Sequence, residues 1–271
     1  GVGQEVVVSA SGPVAIRHPY VQSRVLLPGS GKALLTVRAD LTNISRGAVA
    51  GVLRAKIFGA EKPVDLRRRL TLRPGQTLSV AFSSNAIREL VLDHPRLWWP
   101  YRMGKPYRHT LQVEFITDAG EISDRRTIPF GIIQHDSRID EKGHRLFRVN
   151  GRPVLIRGAA WAPDMMLRVD PRRREAEFRY AKELGLNAIR LEGQLENDDF
   201  FDLADREGIL VIAGWSCCDA WEKWAAWDDG HRRISLDSLR DQALRLRRHP
   251  SVFAWLNGSD NPPPAEQENA Y

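Results

Sequence analysis

Cysteine is almost absent from this sequence of 271 residues. The only two, Cys217 and Cys218, are adjacent, so they cannot build a disulfide framework and they lack the spacing of a tetrahedral metal site. A reactive thiol is not expected either, because no histidine lies nearby in the sequence to stabilise a thiolate. We therefore interpret both cysteines as packing residues.

Long apolar runs and metal-ligand patterns are also missing. No stretch approaches the roughly 20 apolar residues of a membrane-spanning helix, and the seven histidines show no metal-ligand spacing. The sequence opens at Gly1 in a strand-like pattern rather than a signal peptide, so we expect any targeting segment to lie upstream. We predict no membrane contact, no metal and no cofactor.

The composition is basic, with 40 Lys and Arg against 34 Asp and Glu and a sequence pI near 9.6. This balance permits an acidic partner such as nucleic acid. The arginines are scattered, however, and the runs at 172–174 and 245–248 fall within predicted amphipathic helices, where solvated faces are the usual explanation. We predict no nucleic-acid partner.

The first half of the chain consists of short extended runs separated by turn residues. Apolar residues occupy every second position at Leu35, Val37, Ala39 and Leu41, which is typical of a strand with one buried face. Six strands are predicted, at residues 5–9, 33–43, 49–58, 65–72, 77–82 and 110–117. Strands at this spacing without a convincing helix favour an all-β immunoglobulin-like sandwich.

After Gly131 the pattern changes to alternating strands and helices. A hairpin at 146–156 with an Asn150-Gly151 turn comes first. Strands are then predicted at 154–159, 187–191, 209–213 and 252–256, separated by helices that start at Asp170-Pro171, at 199 and near 236. Short apolar strands between helices indicate a parallel sheet covered on both faces, either doubly wound or a TIM barrel.

Acids and tryptophans follow these four strands. The carboxyl ends of parallel strands meet at one edge, where active sites form. A pyranose offers hydroxyls to carboxylates and an apolar C–H face to indole rings, so the pattern favours a carbohydrate ligand. A packing or helix-capping role is the alternative for any single residue, and repetition at four strand ends weighs against it. The candidates are Trp161, Asp164, Arg190, Glu192, Trp215, Asp219, Ser259 and Asp260.

Two junction motifs resemble glycoside hydrolase family 2. PRLWWP at 95–100 with PFGI at 129–132 resembles the end of that family's immunoglobulin-like domain, and FRVNGRP at 147–153 resembles the entry into its catalytic barrel. The resemblance implies three parts: residues 1–18 as the tail of an N-terminal sugar-binding sandwich domain, 19–131 as the immunoglobulin-like domain, and 132–271 as the first half of a (β/α)8 TIM barrel. It also implies a secreted or periplasmic enzyme.

Within the family, the sequence resembles the exo-β-D-glucosaminidase branch. IRLEG at 189–193, GWSCCD at 214–219 and GSD at 258–260 carry this likeness. Most members have Asn-Glu at the end of strand four, where this chain has Ser259-Asp260 as that branch does. Ser216 is a departure, since that branch has a Glu there. The implied function is a retaining hydrolase that releases non-reducing-end glucosamine from chitosan or chitooligosaccharides.

The resemblance implies a role for each candidate. Asp260 would be the general acid/base, Glu192 would contact the substrate amine, and Arg190 would hold the nucleophile carboxylate, a bidentate task suited to Arg. Glu192 has an alternative role as an ion-pair partner of Arg190 or Arg157, and Arg190 could be a rim arginine. Sugar hydroxyls and the ring face would contact the remaining candidates, Trp161, Asp164, Trp215, Asp219 and Ser259.

Retaining glycosidases need a second carboxylate as the nucleophile. The resemblance implies a Glu after strand seven, which we expect beyond Tyr271, and we interpret Glu266 and Glu268 as loop or helix-start residues. The chain alone should therefore catalyse no hydrolysis. Two alternatives remain, a β-mannosidase or β-galactosidase of the same family and a noncatalytic carbohydrate-binding protein.

Overall fold

The structure, a computed structural model, describes residues 6, 8–26, 31–192, 194–214, 223–258 and 260–271. Within these ranges it contains fifteen β-strands and four α-helices. None of the helices in the described ranges is long and apolar enough to cross a membrane.

Two antiparallel sheets in the first half of the chain form a β-sandwich. One sheet has the order β1-β2-β5, with β6 also paired to β2, and the other has the order β4-β3-β7-β8. The strands of the first sheet are β1 (Val14–Val25), β2 (Lys32–Asn43), β5 (Thr77–Ser83) and β6 (Val91–Asp93). Those of the second are β3 (Val49–Phe58), β4 (Val64–Leu72), β7 (His109–Thr117) and β8 (Ile122–Phe130).

The sandwich encloses one apolar core. Leu35, Val37 and Leu41 of β2 are buried, and so are Leu111 and Phe115 of β7. Both groups belong to the same cluster of packed side chains. The one-faced burial predicted from the alternation is therefore confirmed, and the two buried faces meet in the middle of the sandwich.

Several strands of this half differ from the sequence prediction. The predicted strand at 5–9 lies largely outside the described residues, and its described residues 6, 8 and 9 are not in a strand. Strands β1, β6 and β8 were not predicted. In β1 the register shifts between Arg17 and Tyr20, and β8 contains Arg125, Arg126 and Pro129, so the alternation of apolar residues is broken in both.

A small antiparallel sheet leads into the second half. It has the order β11-β10-β9 and consists of β9 (His135–Ile139), β10 (Arg145–Val149) and β11 (Arg152–Val154). The turn between β10 and β11 has φ angles of 48° at Asn150 and 77° at Gly151, as a type I′ hairpin requires. The predicted hairpin is confirmed.

A four-stranded parallel sheet follows, in the order β12-β13-β14-β15. The strands are β12 (Gly158–Trp161), β13 (Ala188–Leu191), β14 (Leu210–Gly214) and β15 (Val252–Leu256). The helices are α1 (Pro171–Glu183), α2 (Asp198–Glu207), α3 (Asp229–Leu246) and α4 (Ala265–Ala270). The predicted parallel sheet is confirmed, whereas the domain boundaries stay a prediction.

Two boundaries in this half correct the sequence prediction. Strand β12 begins at Gly158 rather than 154, because Val154 pairs with Phe147 in the preceding hairpin. Helix α3 begins at Asp229 rather than near 236, because Asp228 and His231 form a capping box. Helix α1 begins where predicted, with Asp170 accepting hydrogen bonds from the backbone N–H groups of Arg172 and Arg173.

The segment after β6 packs against the N-terminal ends of the parallel strands. Trp98 is fully buried against Ala188 and Leu210, the first residues of β13 and β14. Its Nε1 donates to the backbone oxygen of Asp205 at 2.8 Å, and its own carbonyl accepts from Asn150 Nδ2 at 2.9 Å. The sandwich and the parallel sheet therefore share a buried, hydrogen-bonded contact.

Gly208 closes helix α2 at this contact. Its φ is 70°, in the left-handed region that favours glycine. A side-chain carbon here would lie 2.7 Å from the backbone nitrogen of Tyr101, which donates to the Gly208 carbonyl. Glycine is needed both for the helix end and for the close approach of the Tyr101 segment.

His135 lies in the same region and is held neutral. Its Nε2 donates to the carbonyl of Pro250 at 2.8 Å, the residue before Ser251 and β15. Burial lowers the pKa of His135 below its ordinary value of 6.5, and burial does the same to the pKa of His109 in β7. The unfolded chain therefore binds more protons than the folded chain below pH 6.5.

We predict that the stability of the protein decreases as the pH falls below 6.5. The contribution of neutral His135 is fully present above that pH and is lost as the pH falls through the lowered pKa of the folded state. Replacing His135 with Gln keeps a donor for Pro250 and removes the titration, so urea denaturation of H135Q should depend less steeply on pH. Equal slopes in H135Q and the wild type would contradict the prediction.

Candidate functional site

The carboxyl ends of the four parallel strands form one edge of the sheet. Trp161 ends β12, Glu192 follows β13, and Asp260 lies four residues beyond β15. Neighbouring strands lie about 4.8 Å apart, so the backbones after β13 and β15 are separated by about 10 Å. The candidates Trp215, Asp219 and Ser259 lie outside the described residues, as do Ser216, Cys217 and Cys218.

Arg190 lies on the sheet face opposite the helices. Its neighbours Ile189 and Leu191 pack into the cluster that contains Phe178 and Phe200 of α1 and α2, and strand alternation turns Arg190 to the other face. Its Nη1 lies 3.3 Å from Glu192 Oε1, and each side chain is about one-third exposed. The ion pair considered as an alternative for Glu192 is therefore present.

Trp161 lies on the helix side of the sheet. Its ring contacts Phe178 and Phe200 edge to face, with centroid distances of 5.8 and 5.2 Å. Its Nε1 donates to Glu196 Oε1 at 2.9 Å. The adjacent cleft has a volume of about 30 Å³, comparable with one water molecule in the liquid. The contacts of Trp161 are thus with protein groups, and its sugar-binding role stays a prediction.

Two arginines pair with the carboxylate of Asp164. Arg168 donates from Nε at 3.1 Å and from Nη2 at 3.0 Å, and Arg173 Nη1 lies 3.1 Å away. The hydrogen bonds from Arg168 hold the pKa of Asp164 well below its ordinary range. Asp164 therefore stays ionised and is unsuited to act as a proton donor, while its predicted contact with sugar hydroxyls is not tested.

Asp260 is exposed, which differs from the burial expected of a general acid in a tryptophan-lined cleft. Strand β15 pairs only with β14 among the described strands, so Asp260 follows an edge strand. Glycine is needed at position 258, because a side-chain carbon there would lie 2.6 Å from the Asn261 carbonyl oxygen. That carbonyl accepts from Trp224 Nε1 at 3.2 Å.

Sequence reasoning missed two groups of residues at this edge. The rings of Trp224 and Trp227 lie 4.6 Å apart beside the Asp260 segment, and four tryptophans between positions 215 and 227 were the signal in the sequence. The second group is Arg174 with Glu196, a buried ion pair at 2.9 Å. Helical spacing was the signal for it, because Arg174 lies four residues before Phe178 on the buried face of α1, whereas Arg172 and Arg173 do not.

One group among the described residues has ligand atoms close enough to hold a metal ion, namely Asp202, Asp205 and His249. His249 Nδ1 lies 2.7 Å from Asp205 Oδ2, and the other Asp205 oxygen accepts from Ser251. Arg248 lies 3.5 Å from Asp202. These contacts occupy both Asp205 oxygens and Nδ1 of His249, and the group lies at the end of the sheet opposite the candidate site.

Comparison with known proteins indicates the class of protein to which this chain is similar. The family model described as Glycosyl hydrolases family 2 matches residues 14–132. An exo-β-D-glucosaminidase of Streptomyces avermitilis is 38% identical over 281 residues, an alignment that covers 100% of this chain and 30% of that protein. The resemblance to glycoside hydrolase family 2 inferred from the motifs is therefore confirmed.

Comparison with solved structures gives a more specific similarity. The crystal structure of the Amycolatopsis orientalis exo-chitosanase CsxA matches with a TM-score of 0.87 and 34% identity, covering 96% of this chain and 30% of that one. A β-D-mannosidase from Dictyoglomus thermophilum matches with a TM-score of 0.73 and 26% identity, covering 90% of this chain and 29% of that one. The chain is thus similar to exo-β-D-glucosaminidases along nearly its whole length, and it spans about 30% of theirs.

We predict that Arg174→Met destabilises the protein by about 3–5 kcal/mol, because it leaves the buried carboxylate of Glu196 without its cation. The adjacent Arg173 forms exposed ion pairs, so Arg173→Met should cost less than about 1 kcal/mol. Urea denaturation of the two variants tests this contrast. Similar losses in both would contradict the assignment of Arg174 as the buried partner.

Proposed function

We propose that this chain is part of a retaining exo-β-D-glucosaminidase that releases non-reducing-end glucosamine from chitosan or chitooligosaccharides. The observation that carries the proposal is the 38% identity to an exo-β-D-glucosaminidase over the whole chain. A variant of the related exo-chitosanase has been solved in complex with PNP-β-D-glucosamine. Ser259-Asp260, in place of the Asn-Glu of most family members, adds support.

The proposal includes the finer architecture. The parallel sheet β12–β15 would be the first half of a (β/α)8 barrel, and the sandwich would be of the immunoglobulin-like type. The chain would divide at residue 131, whereas the division predicted at residue 18 would cut strand β1, which pairs with β2 from Val14 onward. The parallel strand order and the intervening helices support the half barrel.

In the proposed mechanism, Asp260 protonates the leaving glycosidic oxygen, and a carboxylate about 5–5.5 Å away forms the glycosyl-enzyme bond. Asp260 then acts as the base that activates water. The nucleophile would lie in a part of the protein outside this chain. The low pKa of Asp164 favours Asp260 over Asp164 as the acid, because an acid catalyst must carry a proton at working pH.

Three further roles are proposed at the same edge. Glu192 would bind the C2 ammonium group of the substrate, and Arg190 would orient the nucleophile carboxylate from the same face of the sheet. Trp161, Asp164, Trp215, Asp219 and Ser259 would surround the sugar. In this structure Glu192 pairs with Arg190, so the substrate ammonium group would have to replace Arg190 as the partner of this carboxylate.

A β-mannosidase activity is the second candidate, supported by the TM-score of 0.73 to a β-D-mannosidase. The identity of 26% to that protein is lower than the 38% to the exo-β-D-glucosaminidase. Hydrolysis of a panel of 4-nitrophenyl glycosides by the full-length protein separates the two. Preference for the mannoside or galactoside would reject the proposed function.

We predict that Asp260→Asn lowers kcat on chitosan oligomers about 10²–10⁴-fold in the full-length protein, because the leaving amino sugar then lacks a proton donor. The loss should be smaller on an aryl glucosaminide with an acidic leaving group, which needs less protonation. Asp237→Asn, at an exposed position on α3, serves as the matched control. Activity of D260N equal to that of D237N would reject the assignment.

We predict that Glu192→Gln lowers kcat/KM for a glucosaminide by at least about tenfold, because the substrate ammonium group loses its carboxylate partner. The corresponding glucoside has a hydroxyl at C2, and its hydrolysis should change little. The measurement is the ratio of kcat/KM for the two 4-nitrophenyl substrates. Equal losses on both would show that Glu192 does not recognise the amine.

A further inference from the structure

Glu196 joins three elements of the second half through hydrogen bonds, of which the one from Arg174 is buried. Its carboxylate accepts from Trp161 Nε1 at the end of β12 and from Arg174 Nη2 in α1, both at 2.9 Å. Its backbone oxygen accepts from Nη1 and Nη2 of Arg245 in α3, both at 3.1 Å. Both Glu196 and Arg174 are more than nine-tenths buried.

The same arginine continues to the start of α2. Arg174 Nη1 donates at 2.8 Å to the side chain of Asn197, whose carbonyl-type oxygen also caps the helix by accepting from Phe200 N. Helix α2 therefore begins at a point fixed by α1. Glu192 lies at the other end of the short connection 192–197, four residues before Glu196.

Stability alone is a poor explanation for this ion pair. Two buried charges lose about as much solvation as they gain in attraction, so apolar residues of similar size often stabilise a core equally well. A charged, hydrogen-bonded group does fix the geometry of its partners, because each donor and acceptor has to be satisfied. Both oxygens of the Glu196 carboxylate already have protein donors, so Glu196 is not placed to bind substrate.

We propose that Glu196 is a positioning residue for Glu192. Through Trp161, Arg174 and Arg245 it fixes the chain at Glu196 and Asn197, and β13 fixes the chain up to Leu191. Glu192 is thereby held at the carboxyl edge of the sheet, where the ammonium group of an amino sugar would meet it. This inference rests on the proposed function, and it assigns the preference for amino sugars to a buried group that does not contact them.

The experiment uses Glu196→Gln in the full-length protein. Gln keeps an acceptor for Trp161 but removes the charge that holds Arg174. The ratio of kcat/KM for 4-nitrophenyl β-glucosaminide to that for 4-nitrophenyl β-glucoside should fall at least about tenfold, since a displacement of about 1 Å has effects of this size. Glu177→Gln, in which an exposed partner of Arg173 is changed, should leave the ratio unchanged.

Amide hydrogen exchange provides a measurement that does not depend on activity. Exchange of residues 194–197 should be faster in E196Q than in the wild type and in E177Q, because the connection loses its attachment to α1. If E196Q does not fold, Arg174→Lys replaces it, since a lysine cannot donate to Glu196 and Asn197 together in the guanidinium geometry. The same fall in the ratio and the same faster exchange are expected.

The outcomes separate this inference from the proposed function. A wild-type protein without glucosaminidase activity rejects the proposed function, while exchange still tests Glu196. If the wild type is active, the positioning role is overturned when E196Q lowers kcat/KM equally for both substrates or leaves both values unchanged. Unchanged exchange at 194–197 overturns it whatever the substrate proves to be.

Discussion

The burial of Trp98 is the contact on which the arrangement of the two halves depends. Its indole N–H donates to the Asp205 carbonyl beneath the parallel sheet. The Asp205 carboxylate accepts in turn from His249, and from both the backbone N–H and the hydroxyl of Ser251. Ser251 immediately precedes β15. A single buried aspartate thus links the sandwich to the start of the strand that leads to Asp260, and leaving any of these buried groups unpaired would be costly.

The two ends of the parallel sheet differ in character. At the N-terminal end Trp98, Ala188 and Leu210 are fully buried, and the polar groups of Asp205 and Asn150 are satisfied inside the protein. At the carboxyl end Arg190 and Glu192 are partly exposed, and Asp260 is exposed. The proposed half barrel would explain this division, because in (β/α)8 barrels one end of the sheet supplies stability and the other carries the loops that act on substrate. Near the carboxyl end the ion pair between Arg174 and Glu196 is also buried, so buried charge is present there as well.

Local patterns predicted much of the fold. Strand β15 and the Asn150-Gly151 hairpin were found because apolar runs and turn residues act over a few neighbouring positions. Strands β1 and β8 were missed because a register shift and charged residues interrupt their alternation. The sequence predicted which strand ends carry the candidate residues, but it did not predict the direction of each side chain. The sequence could not indicate that Trp161 turns toward the helices, since that depends on its contacts with Phe178 and Phe200. The burial of Arg174 could have been predicted from its helical spacing to Phe178, but its partner Glu196 could not, because Glu196 lies 22 residues away in the sequence.

The hydrogen bonds made by Trp98 also limit how parts of related enzymes can be recombined. Its indole meets a backbone carbonyl, so the acceptor at Asp205 is available whatever residue occupies that position. Its own carbonyl needs the Asn150 amide, which belongs to the hairpin beyond the sandwich. A hybrid that joined a foreign sandwich to this parallel sheet would need both an indole at position 98 and the asparagine of the hairpin. The most favourable crossover point therefore lies after Gly151, because Trp98 and Asn150 then come from the same parent protein.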